Sequence, residues 1–249
     1  MKKLKRILAK QSGRDFSGRV RVRHQGGRQK RFYRVVDWKR DKKDVWAQVV
    51  AIEFDPNRNA YLAAVKYEDG ELRYVLAPLG IEVGSKLISS EVAPIESGNH
   101  LPLSKIPVGT QVHNIEIRPG KGGQIVKGAG SVAVIQGKET DYVLLKLPSG
   151  EVRRFVNNCW ATVGQVGNIE ARSVRIPNAG TKRRMGIRPT VRGTAQHPNS
   201  HPHGGGEGRS GIGLKHPKTP WGKSAVGKTR NKRKYSNNLI IEHRKPARG

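Results

Sequence analysis

Where its positive charge lies is what most limits the folds open to this chain. Residues 1–34 hold 13 Lys+Arg and one acid, Asp15, and residues 171–249 hold 19 Lys+Arg and two acids, Glu207 and Glu242. Residues 35–170 hold 16 of each, so the two ends carry the whole net charge of +29. Self-repulsion on that scale opposes a compact free state unless a polyanion supplies counter-charge, and nucleic acid is the expected partner. The balanced middle can fold by itself. The ends are rich in Gly, Pro and cations and have no sustained apolar face, so they cannot offset their ordering entropy. The sequence predicts that 1–34 and 171–249 order only on a partner.

The middle reads as short strands separated by turns. RFYRVVDW (31–38), VWAQVVAIEF (45–54), AYLAAVKY (60–67) and ELRYVL (71–76) are rich in Val, Ile, Tyr and Phe, with DPNRN and the hairpin pair Asp69-Gly70 between them. After a Pro- and Gly-rich stretch the pattern restarts at 110–117, 131–138, 142–147 and 151–156. The expected fold is all-β. Two small barrels, over 35–100 and 101–170, are flanked by a long basic N-terminal extension (1–34) and a long basic, Gly/Pro-rich C-terminal extension (171–249). The loop RPGKGGQ (118–124) allows two readings. It is a flexible hairpin end, or its amides and the side chains of Arg118 and Lys121 hold a phosphate.

Several chemistries are disfavoured. One cysteine, Cys159, forms no intramolecular disulfide and no cysteine-based zinc cluster, and a small buried hydrophobe is the expected reading. MKKLKRILAK has no apolar core of a secretory signal, and no run approaches the ~18 apolar residues of a membrane span. Gly222–Thr229 (GKSAVGKT) satisfies the phosphate-loop pattern, but prolines precede it and no amphipathic helix follows, so a nucleotide site is not expected. His197, His201, His203 and His216 could ligate a metal, yet they lie among prolines and glycines rather than on rigid elements. No metal or cofactor is expected. SHPHGGGEG (200–208) fits close approach to RNA better. Glycine admits a polyanion backbone, proline keeps the chain extended, and Trp221, Tyr235 and the histidines can stack on splayed bases.

RPTVRGTAQHPNSHPHGGGEGRSG, KHPKTPWGK, FDPNRNAYLAAVKYEDGELRYVLAP and IPVGTQVHNIEIRPGKGGQ together resemble the bacterial-type large-subunit ribosomal protein L-two family, from about Gly18 to Lys234. The resemblance implies an oligonucleotide-binding-like barrel followed by an SH3-like barrel, with both extensions threaded through large-subunit rRNA. It implies a structural rather than enzymatic role, catalysis residing in the rRNA. Assembly, association with the small subunit at the inter-subunit face, tRNA binding and support of the peptidyl transferase centre would be its functions. Other ribosomal proteins would be neighbours, no membrane would be involved, and the ribosome would be that of a bacterial cytoplasm or an organelle. The expected rRNA contacts are Arg21, Arg23, His24, Arg28, Lys30 and Arg31 in the N-terminal arm, and Arg58, Arg118 and Lys121 in the barrels. In the C-terminal extension they are Lys182, Arg183, Arg184, Arg188, Arg192, His201, His203, Gly204, Gly205, Gly206, Arg209, Lys215, Trp221, Lys223, Lys228, Arg230, Lys232, Arg233 and Lys234. The family commonly has Asp where Ser200 stands, so an acid-oriented histidine base at His201 is not expected. A nucleotide hydrolase on Gly222–Thr229 and a free-standing basic chromatin-like binder are the rival classes.

Overall fold

A computed structural model describes residues 4–227 and 230–244. The regular structure of the described residues is almost entirely β, with one six-residue α-helix, α1 (Ala179–Arg184), and short 3-10 turns. The strands are β1 (Lys5–Ile7), β2 (Phe32–Arg34), β3 (Ala47–Glu53), β4 (Leu62–Tyr67), β5 (Leu72–Leu76), β6 (Lys86–Leu87), β7 (His100–Pro102), β8 (Gln111–His113), β9 (Ala133–Lys138), β10 (Tyr142–Lys146), β11 (Val152–Val156), β12 (Trp160–Val163) and β13 (Ile240–Glu242). They form sheets ordered β1-β2, β5-β4-β3-β6 and β13-β11-β10-β9-β8-β12-β7, and every ladder is antiparallel.

Two compact units make up the chain. A sheet unit holds the described residues up to Leu8, Lys30–Arg175, and those from Tyr235 onward; it contains all thirteen strands. A cationic unit is built from Ala9–Gln29 and Ile176–Lys234.

The sheet unit is held by apolar burial. β4 contributes to two cores because it is covered on both faces: Leu62 and Ala64 pack with Val36, Tyr74, Leu76 and Val166, whereas Ala63 and Val65 pack with Val49, Tyr67, Val75 and Leu87. That double burial explains its continuous LAAV run. In β3 the register slips at Val50, so Val49 opposes Val65 and Ala51 opposes Ala64. This bulge moves the strand's inward residues from one core to the other. The seven-stranded sheet encloses the largest cluster, with Leu101, Leu103, Ile106, Val112, Ile115, Ile135, Val143, Leu145, Phe155 and Cys159. Burying each such side chain contributes roughly 1.5–3 kcal/mol relative to leaving it in water.

The cationic unit has no such interior. Among its described residues no hydrophobic side chain is buried, and Met185, Ile187 and Val191 are each about half exposed. Hydrogen-bonded turns give it its shape.

Candidate nucleic-acid interface

Two segments far apart in sequence build the cationic unit. Gln25 and Ile187 form an antiparallel bridge, Gly26 N–H donates to Gly186 O (2.8 Å), Gln29 N–H to Arg184 O (2.9 Å) and Arg188 N–H to His24 O (3.0 Å). His24 takes φ 61° to make the junction. Next to it, α1 is capped by the Asn178 side chain, which accepts from Thr181 N–H, and its last turn carries Lys182, Arg183 and Arg184. Cations there match the negative end of the peptide dipoles. These three, with Arg21, Arg23, Arg188, Arg192, Arg209, Lys215, Lys223, Arg230, Lys232, Arg233 and Lys234, have exposed side chains. Arg28 is half-buried and directs its guanidinium to Gln29 O and Ala9 O. In sequence, this unit's spans carry 20 Lys+Arg against two acids, Asp15 and Glu207. Lys228 lies outside the described residues.

His201 and His203 are the only buried residues among those described in this unit. His203 Nε2 accepts from Lys218 N–H (2.7 Å), which fixes the proton on Nδ1, and Nδ1–H donates to Ile212 O (3.1 Å). Both of its nitrogens therefore serve the backbone. His201 Nδ1 accepts from His203 N–H (3.0 Å), and the two rings lie 5.0 Å apart. The adjoining glycines have an intramolecular reason. A Cβ on Gly204 would sit 2.5 Å from His197 O, one on Gly205 2.7 Å from Pro198 Cγ, and one on Gly206 2.1 Å from Ser210 Oγ. Gly205 (φ 87°) and Gly206 (φ 96°) are also left-handed. The close approach that the sequence pointed to is thus made, at least in part, by the chain folding back on residues 196–198.

The phosphate-loop pattern is housed in a different structure. Gly222 closes a hairpin in which Lys218 bridges Ser224, Thr219 N–H donates to Lys223 O (2.7 Å) and Gly222 N–H to Thr219 O (2.9 Å). A strand-loop-helix arrangement is absent here among the described residues, and Lys228 and Thr229 lie outside them. Trp221 stands at the hairpin tip, 75% exposed.

Five expected contacts fall in the sheet unit. Lys30 is exposed. Arg31 donates to Pro56 O (2.6 Å), and Arg58 pairs with the buried Asp55 (2.6 Å) while lying 5.1 Å from the Trp38 ring centroid. Lys127 sits 4.1 Å from the same ring, and burial pulls its ammonium pKa down. Arg118 and Lys121 are exposed on a loop nailed down by Glu116. That buried carboxylate accepts from Gly120 N–H (3.3 Å), Gly122 N–H (2.7 Å) and Trp160 N–H (3.1 Å). The loop is a fixed platform rather than a flexible end. Five of its amides, those of Gly120, Lys121, Gly122, Gly123 and Gln124, are satisfied internally, so its side chains are what it offers to a phosphate.

Cys159 is buried, as the sequence predicts, but the sequence reading does not point to the polar groups buried around it. His100, Thr162 and His113 form a row across β7, β12 and β8. His100 Nδ1 meets Thr162 Oγ1 (3.1 Å) and His113 Nδ1 meets Gly164 O (2.8 Å). Burial holds the His100 pKa well below the usual histidine value and lowers His113 to about 4. Arg40 is buried nearby and donates to Gly98 O (2.6 Å). Burial likewise pushes the Cys159 thiol up to about 12, so it is protonated and unreactive. Phe16, fully exposed in the N-terminal arm, is a further candidate to which charge does not point. An aromatic inside a D-x-S-G turn was the available signal.

Two family models match the chain in tandem. Residues 1–89 match the RNA-binding N-terminal domain of Ribosomal Proteins L2, and residues 96–222 match the C-terminal domain of the same proteins. The second match alone spans half of the chain, and together they take in both the strand-rich middle and most of the cationic spans. The chain therefore belongs to the ribosomal protein L2 family, structural RNA-binding proteins of the large ribosomal subunit.

Proposed function

We propose that this protein is a scaffold for large-subunit rRNA, the sheet unit acting as a self-supporting body and the cationic unit as the surface laid along the RNA. One observation carries the reading: a unit with 20 cations and two acids in its sequence encloses no buried hydrophobic side chain among its described residues. A polyanion supplies what an apolar core does elsewhere, by neutralising repulsion and releasing counterions. The four-stranded sheet β5-β4-β3-β6 corresponds on this reading to the oligonucleotide-binding-like barrel and the seven-stranded sheet to the SH3-like barrel.

The protein's roles are assembly of the large subunit, association with the small subunit at the inter-subunit face, and support of tRNA binding and of the peptidyl transferase centre. Catalysis in that centre belongs to RNA. The His201-His203 pair supports this division, because His203 has both nitrogens engaged by backbone groups and His201 Nδ1 accepts from the chain itself. Other ribosomal proteins are neighbours, and the ribosome is that of a bacterial cytoplasm or an organelle. Cosedimentation tests the reading. The protein stays with the large subunit through a high-salt wash; release into the supernatant with the subunit intact would contradict it.

A further inference from the structure

The same turn is built four times among the described residues. In each, residue X donates its N–H to the carbonyl of X+4, the glycine at X+3 donates to the carbonyl of X, and the flanking residues X−1 and X+5 pair. Asp15 donates to Arg19 O (3.0 Å) and Gly18 to Asp15 O (3.0 Å), with Arg14 bridging Val20. Tyr67 donates to Glu71 O and Gly70 to Tyr67 O (both 2.9 Å), with Lys66 opposite Leu72. Leu147 donates to Glu151 O and Gly150 to Leu147 O (both 2.9 Å), with Lys146 opposite Val152. The fourth is the Thr219 turn described above. The four glycines share φ values of 78°, 84°, 80° and 77°, and a Cβ on any of them would meet nothing within 4 Å. Each glycine is thus present for its left-handed backbone, as this hairpin type requires.

With the backbone held constant, the side chains differ by unit. In the sheet unit the tips are Glu68-Asp69 and Pro148-Ser149, and X+4 is Glu71 or Glu151. In the cationic unit the tips are Phe16-Ser17 and Pro220-Trp221 and X+4 is Arg19 or Lys223, whereas X−1 is a cation in all four turns (Arg14, Lys66, Lys146 and Lys218) and so does not distinguish the units. Tips without an aromatic form the same turn, so the turn does not demand one. Phe16 is 104% exposed and Trp221 75%, so neither ring contributes to a core. The tips are also stiff. The Asp15 carboxylate accepts from Ser17 N–H (3.0 Å), Ser17 Oγ–H (2.7 Å), Arg19 N–H (2.9 Å) and Arg21 Nε–H (2.7 Å), and Pro220 fixes its own φ.

We propose that these two hairpins are base-stacking fingers, Phe16 and Trp221 each capping an unpaired RNA base while the cations at X−1 and X+4 hold the adjoining phosphates. The inference rests on the rRNA-binding reading and adds what the tips recognise. An aromatic face is a sequence-tolerant platform for a base, and the flanking charge selects a polyanion over an apolar protein patch. Paired RNA presents no free base face and a major groove too narrow to admit such a tip, so the ligand is a loop, bulge or single strand.

Equilibrium binding of the full-length protein to a large-subunit rRNA transcript, as a function of salt, tests this. Phe16→Ala and Trp221→Ala are each expected to weaken binding about 5- to 150-fold, the range for one base stack, with the log K against log salt slope unchanged because no cation is lost. Phe16→Tyr retains affinity, Phe16→Leu does not, and irradiation at 254 nm crosslinks Phe16 and Trp221 to unpaired nucleotides. Ser149→Ala, in a sheet-unit tip, changes nothing. Alanine variants that bind within twofold of the parent, or a leucine variant that binds as the parent does, would overturn the stacking role. The second result would indicate apolar burial against the RNA without ring stacking. Failure of the unaltered protein to bind the transcript would remove the rRNA reading, and this inference with it.

Discussion

The two units of this protein satisfy the demands of folding in opposite ways. The sheet unit buries three apolar clusters, including long side chains such as Leu62, Leu103, Ile135 and Leu145 that are wholly excluded from water. It also pairs its charges internally, as in Arg34 with Glu53 and Arg73 with Asp37. The cationic unit buries two histidines and joins distant parts of the chain through backbone hydrogen bonds. Turns and bridges can specify a path without making it stable alone, because each net hydrogen bond contributes only about 1 kcal/mol while fixing a residue costs about as much or more. A shape can therefore be encoded in one unit and its stability supplied from outside.

The comparison breaks most easily in the cores. Leu103→Ala is expected to destabilise the free protein by about 2–5 kcal/mol in urea denaturation, whereas Ile187→Ala in the cationic unit changes it by less than about 0.5 kcal/mol. Equal losses would show a shared core. Acid comes next. His100 and His113 have folded pKa values below the ~6.5 of the unfolded chain, so the unfolded state binds more protons as the pH falls. Their contribution is complete above about pH 6.5 and declines from there toward the folded value, about 4 for His113. At pH 5 the loss from His113 is about 2 kcal/mol, and His113→Gln should flatten the profile of denaturation midpoint against pH. A midpoint constant between pH 7.5 and 5 would contradict this burial.

Gly205→Val sharpens the contrast. The φ of 87° and Pro198 Cγ 2.7 Å from the new Cβ strain the cationic unit, so rRNA affinity should fall roughly 5- to 150-fold while the urea midpoint of the free protein stays put. The smallest effect is expected at a single exposed cation: Arg23→Ala should make the log K against log salt slope shallower by about one unit.

Much of the sheet unit was legible in the sequence, because strands such as β3, β4, β9 and β10 declare themselves by β-branched and aromatic runs between turns. The strands that escaped are those defined by their partners. β6 has two residues, β7 contains Pro102, and β13 lies in a basic end and exists as a strand by pairing with the edge of β11. The joining of residues 24–29 to 184–188 could not be read either, since a pairing across some 160 positions leaves no local pattern. Among candidate contacts, exposure of the cations followed from their charge. The glycines at 204–206 signalled a close approach without naming the other surface, and part of that surface proved to be the chain's own backbone.

Hydrogen exchange, read by mass spectrometry on the free protein and on its complex with large-subunit rRNA, tests the central claim most directly. In the free protein, amides of the sheet-unit strands over residues 47–163 should be protected for hours, while those of 9–29 and 176–234 exchange within seconds despite their hydrogen bonds; RNA should slow the second group by orders of magnitude. Equal protection of both groups in the free protein would contradict the account, as would a cationic unit whose exchange rRNA leaves unchanged.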